Sequence, residues 1–146
     1  MNRRTMLASL LAFAVIPASA ALAKPANYIS GGAALSGYDA VAYFQGGPKK
    51  GTKEFTTTYS GATYRFSSAA NLASFKASPG KYAPAYGGYC AYAVANGLTA
   101  PGDPKAWSIR GGRLYVNLNQ NVKKRWLANP AGYISSANRN WPKVLN

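Results

Sequence analysis

The sequence has no histidine. That absence excludes Ser-His-Asp and Cys-His catalysis and removes the usual nitrogen ligand for soft metals. Carboxylates are nearly as scarce. Asp39, Glu54 and Asp103 stand against 17 Lys and Arg residues, for a net charge of +14. Cysteine occurs once, at Cys90, so no disulfide can close within one chain. Both methionines, Met1 and Met6, lie at the N-terminus. No glycine-rich phosphate loop stands between a strand and a helix. The apolar run from Leu7 to Ile16 is too short to span about 30 Å of hydrocarbon as a helix.

That run has the pattern of a cleavable export signal instead. Arg3 and Arg4 precede it, small residues follow, and Ala21-Leu22-Ala23 fits an A-x-A cleavage site. The stretch RRTML is similar to a twin-arginine signal, with a general secretory signal as the alternative. Residues 1–23 are therefore expected to be removed and the mature chain to be periplasmic. Removal of Arg3 and Arg4 lowers the net charge from +14 to +12, and both methionines leave with them. The mature chain then holds a single soft ligand, Cys90.

Residues 24–36 are small and polar with little periodicity and read as a flexible N-terminal arm. GYDAVAYF, 37–44, reads as a short helical turn with Val41 and Phe44 facing a core. FTTTYSGATYRF, 55–66, alternates about Ser60-Gly61. A two-residue turn there pairs Tyr59 with Ala62, Thr57 with Tyr64 and Phe55 with Phe66. Ser67 or Ser68 can cap a helix that Pro79-Gly80 stops, with Leu72 and Phe75 on its buried face. WSIRGGRLYV forms a second hairpin, pairing Ile109 with Leu114 and Trp107 with Val116. A helix over about 121–128 turns Val122 and Trp126 inward, and another runs over about 132–140. The order of elements predicts a small single α+β domain, with two β-hairpins packed against short helices.

These segments together resemble the YHS-domain family, in its small exported branch. The resemblance is carried by GYDAVAYF (37–44), FTTTYSGATYRFSSAANLASFKASPGKYAP (55–84) and YGGYCAYAVANG (86–97). DPKAWSIRGGRLYVNLN (103–119) and Trp141-Pro142 complete it. The resemblance implies a YHS-like domain over 37–146. For the wider family it implies metal binding, in some members through cysteines in a pattern like Phe-Cys-Ser after the first hairpin. Here Phe66-Ser67-Ser68-Ala69-Ala70-Asn71 occupies that place without them. The resemblance also implies a candidate site at Cys90, since selenocysteine is suggested at the matching position in some relatives.

Physical reasoning about Cys90 leaves two readings. At the start of a helix over 90–96, free amides and the helix dipole favour a thiolate. Cysteine is equally at home as a small buried apolar filler. With Asp39 or Asp103 and with Tyr38, Tyr89 and Tyr92 around it, Cys90 forms a candidate metal or thiol site. Copper is the candidate ion, held by one chain or between the Cys90 thiolates of a homodimer. An external thiol is the candidate redox partner. Asp39 and Asp103 have competing roles as turn caps. The function expected first is an exported binding module acting through soft-metal or thiol chemistry at Cys90. The alternative is a non-catalytic cationic envelope protein with Cys90 as packing. It would bind anionic polymers or lipid headgroups through Lys123, Lys124, Arg125 and other cations. Export argues against nucleic acid as the partner of a basic surface.

Overall fold

The first hairpin shows how far alternation alone carries the chain. In the computed structural model, which describes residues 23–146 and Ala12, the two-residue β1 (Ile29–Ser30) and β2 (Ala33–Ala34) pair antiparallel. They precede the larger pair β3 (Thr52–Tyr59) and β4 (Ala62–Phe66). The turn residues Ser60 and Gly61 have φ of 48° and 77°. Such positive values give the turn a twist that matches the flanking strands. Tyr59 pairs with Ala62 and Thr57 with Tyr64, as the alternation predicts. Phe55 does not pair with Phe66. The register shifts between Thr52 and Thr56, and Thr52 is opposite Phe66. The cause lies just outside the strand. Gly51 donates its amide to Gly37 O and presses against the Arg65–Phe66 backbone with no room for a Cβ. The chain enters the ladder at Thr52, and the residues before Thr56 bulge outward.

The helices follow their caps. In α1 (Ala69–Ala77), Ser68 accepts the Asn71 amide and Phe75 is buried. Pro79 ends this helix and also opens the single turn α2 (Pro79–Tyr82), since a proline at the first helical position lacks only an N–H that would be unpaired anyway. After α3 (Ala91–Ala95) comes the second hairpin, β5 (Asp103–Arg110) and β6 (Arg113–Asn117). Trp107 pairs with Val116 and Ile109 with Leu114, as expected. In α4 (Gln120–Leu127), Asn119 caps the first turn and Trp126 is fully buried, while Val122 is half-buried. Asn129 then caps α5 (Pro130–Asn140). The result is α+β, but with three separate two-stranded sheets among the described residues rather than two.

The proposed export segment lies outside the described residues, apart from Ala12 and Ala23. The stretch 24–36, whose composition suggests a loose arm, is packed. Ala33, Ala34 and Leu35 are buried, and Asn27 is 4 % exposed. Asn27 donates to Ser60 O at 3.0 Å and accepts the Tyr64 hydroxyl at 2.6 Å. The Lys24 amide reaches Leu145 O near the other end of the chain. None of these partners is close in sequence, so no local pattern reveals them.

Two apolar clusters form the core. One gathers Val41, Tyr43, Tyr64, Phe66 and Phe75 with Leu114 and Val116. The other gathers Tyr86, Tyr89, Val94, Trp126 and Ala137 with Tyr115. Strand β6 belongs to both, because successive side chains of a strand point to opposite faces. Leu114 and Val116 serve the first cluster and Tyr115 the second. Among the described residues no helix is long and apolar enough to cross a membrane.

Three tyrosine hydroxyls are held inside this core. Tyr43 donates to Pro104 O at 2.8 Å, Tyr64 to Asn27, and Tyr86 to Asn138 Oδ1 at 2.9 Å. Burial is the main force pushing all three above the ordinary tyrosine range, with Arg113 partly opposing it at Tyr86. Ionisation would create a charge that the folded state disfavours, so the unfolded chain releases these protons first. The stabilisation is complete below about pH 10 and is lost as pH rises beyond it. Urea unfolding midpoints are expected to fall steadily above that pH. A flat midpoint into strong alkali would show that these hydroxyls ionise without opening the fold.

Candidate functional site

Cys90 is the residue immediately before α3, in non-helical geometry (φ −56°, ψ 117°). Its amide donates to Ala100 O at 2.9 Å, and its carbonyl accepts the Val94 amide at 3.1 Å. The side chain caps nothing. The cap comes instead from Asn117, at the end of β6. Two residues beyond Tyr115, Asn117 shares its face and points toward α3. Its Oδ1 accepts the Tyr92 amide at 3.0 Å, one of the helix-end donors that otherwise has no partner. The Cys90 thiol donates to the same oxygen, with Sγ 3.6 Å away. The amide expected to face a thiolate is therefore engaged by a carboxamide, and the sulfur faces an acceptor.

The sulfur is sealed as well, with Cys90 1 % exposed. Asn117 is fully buried, and its Nδ2 has no hydrogen-bond partner among the described residues. Nor has the indole Nε1 of Trp126.

The other predicted site residues do not gather around this sulfur. Asp39 lies wholly buried among the elements of the first cluster. Its Oδ1 accepts the amides of Val41 (2.8 Å) and Ala42 (3.1 Å). Its Oδ2 accepts the Ser67 amide and hydroxyl and Asn71 Nδ2, at 2.7–2.8 Å. Ser67, a candidate helix cap, is thus committed to Asp39, leaving the cap to Ser68. Asp103 pairs with Asn117 across β5 and β6, which brings its backbone close to the site. Its carboxylate turns back onto the Lys105 amide at 2.9 Å. Tyr38 packs on the first cluster, while Tyr89 and Tyr92 belong to the second. The Tyr89 hydroxyl donates to Pro25 O at 2.8 Å, and burial raises its pKa. The Tyr92 ring packs against Tyr133.

Residues 44–86 match the family model of the YHS domain. That segment is a YHS domain. No curated protein and no solved structure matches the chain significantly. The matched YHS segment contains the first hairpin, α1 and α2, and it ends before Cys90. Metal association, which the family implies, finds no cage here. Among the described residues no group of three or more His, Cys, Asp or Glu side chains converges. Asp39 has spent its oxygens on five donors. One sulfur bonded to a carboxamide is a poor site for zinc or copper.

The cations are arranged differently. Every Lys and Arg of residues 23–146 is exposed or half-buried. Lys123 lies with its Nζ 5.8 Å from the centre of the Trp107 ring, and Lys124 and Arg125 face solvent. Asn117 is the residue that sequence reading missed. Its signal was present in YVN, where a polar side chain follows Tyr115 on one face of a strand buried on both faces.

Replacing Asp39 with alanine would remove the acceptor of five donors, of which the buried Val41 and Ala42 amides and the half-buried Ser67 amide and hydroxyl have no other, and a loss of about 4 kcal/mol is expected. Denaturant unfolding of Asp39→Ala checks this, and a midpoint equal to that of the parent would contradict the structural role assigned to this carboxylate.

Proposed function

We propose that this YHS-domain chain is an exported, non-catalytic binding module that engages polyanions, either anionic envelope polymers or lipid headgroups, through its cationic surface. On this reading Cys90 is core packing. The observation that carries it is the separation of charge. Every described Lys and Arg reaches the surface, whereas Asp39 is buried and Asp103 is half-buried with its carboxylate on the Lys105 amide, which leaves Glu54 as the one exposed acidic residue among those described. An excess of one sign raises the local concentration of opposite charge and speeds encounter with it. The basic, apolar and small-residue order of residues 1–23 supports delivery to the periplasm, where such polymers and headgroups are available.

Dextran sulfate beads and phosphatidylglycerol vesicles separate the two sources. The protein is expected to bind at about 20 mM salt and to release at about 500 mM, where screening is nearly complete. The combined Lys123→Gln, Lys124→Gln and Arg125→Gln variant is expected to release at lower salt. Binding to beads alone assigns a polymer, and binding to vesicles alone assigns headgroups. No retention at low salt, or retention indifferent to salt, overturns the proposal.

A second reading has its own support. Asn117 Nδ2 is a buried donor without an acceptor, on the carboxamide that touches Cys90 Sγ. An oxygen placed on sulfur would carry an O–H able to donate to Oδ1, the atom that Sγ faces, and lone pairs able to accept from a free N–H such as Nδ2, whereas an N–H offers nothing to a metal cation. Hydrogen peroxide would supply that oxygen. Its O–O bond breaks, an S–O bond forms, and the thiol becomes sulfenic acid with release of water. Trapping with dimedone tests this in the folded protein. A single adduct that disappears in Cys90→Ser supports thiol chemistry. An adduct that forms only after denaturation leaves Cys90 as packing.

A further inference from the structure

A concavity not lined by Cys90 lies where five parts of the chain meet. Tyr59, from the first hairpin, and Gly80, from α2, form two sides of it. Pro84 and Tyr86 form another, and Trp141, following α5, closes the end. Arg113, the first residue of β6, reaches its rim. The volume is about 220 Å³. That is below the roughly 300–1,000 Å³ of pockets for drug-sized molecules, so only a small ligand fits.

Three features of this cavity point to one ligand chemistry. The first is its walls. Tyr86 and Trp141 meet edge to face, with ring centres 6.0 Å apart, and Tyr59 adds a third ring. Aromatic rings arranged in this way favour a flat apolar body. The second is charge. Arg113 is exposed and makes a 3.3 Å bond to Gly80 O. It sits directly across the Gly111-Gly112 turn from Arg110. Like charges directly opposite on paired strands repel. None of the three carboxylates in the sequence lines the cavity to relieve that repulsion. The third is backbone strain. Tyr86 adopts φ 56°, ψ 33°, a left-handed conformation that costs a residue with a side chain. The turn is tied by the Tyr89 amide to Tyr86 O and by the Tyr28 amide to Gly87 O, and Gly87 lies against the Ala26 carbonyl, where a Cβ would collide. The strained turn thus positions the Tyr86 ring in the wall.

We propose that this cavity binds a small organic anion, with a carboxylate held by the Arg113 guanidinium and a flat apolar body against Tyr59, Tyr86 and Trp141. Arginine is suited to this role, because its planar fork can donate two parallel bonds to one carboxylate. The site is independent of the polyanion surface, which uses dispersed cations and needs no cavity.

Benzoate is a probe of the proposed chemistry, with benzyl alcohol and benzylamine as neutral and cationic counterparts of the same ring. Titrations followed by backbone amide shifts are expected to show saturable benzoate binding, with the largest changes at Gly80, Tyr86 and Arg113. Benzyl alcohol is expected to bind at least tenfold more weakly, and benzylamine not at all. Arg113→Gln is expected to weaken benzoate at least tenfold. Gly80→Leu is expected to abolish binding by filling the mouth, and it is a mild change, since a Cβ on Gly80 meets nothing within 4 Å. Absence of saturation, equal affinity for the three probes, or unchanged binding in Arg113→Gln overturns the proposal. Equal weakening by the Lys123, Lys124 and Arg125 variant would also overturn it, by assigning the effect to general surface charge.

Discussion

A carboxylate sealed from water needs donors around it, and Asp39 has five. They come from three places in the chain: its own turn, the junction after β4, and the first turn of α1. One side chain therefore fixes the approach of residues 37–44 to the first hairpin and to the helix that follows. Val41 and Tyr43, two of the fully enclosed apolar residues, are delivered to the core by the turn that Asp39 holds. The arrangement is demanding, because a buried charge that loses its donors is far worse than an apolar residue in the same place. In a chain so short of acidic residues, one of three is spent entirely on architecture.

The family match shows where recognition and chemistry part company. Residues 44–86 carry the hairpin and helix by which the YHS domain is recognised. Asp39, which locks that unit in place, precedes the segment, and Cys90 follows it. The segment itself brings no cysteine and no histidine. The match thus says more about how this segment folds than about what the chain holds, and the surface and cavities must be read on their own terms.

Much of the fold was legible because it is locally encoded. Both longer hairpins follow from alternation about a two-residue turn, and the start of α1 follows from the Ser67-Ser68 pair, whereas the caps Asn119 and Asn129 emerge only from the structure. The Phe55–Phe66 pairing failed for a reason that alternation cannot contain, the close approach of Gly51 to a strand fourteen residues on. Residues 24–36 were misleading in the same way, because Asn27 and Pro25 find their partners at Ser60, Tyr64 and Tyr89. Of the candidate site, the position of Cys90 beside a short helix was legible. Its enclosure was not, since that depends on Asn117 arriving from a distant strand to take the cap.

The two-faced placement of β6 has a thermodynamic consequence. A strand interior to both clusters is a shared wall, and neither side can melt while the other keeps its lining. Leu114 and Val116 are lost to one when Tyr115 is lost to the other. The protein is therefore built to open as one cooperative unit. An excised fragment bearing only the YHS match would leave Tyr64 and Phe66 without half of their enclosure.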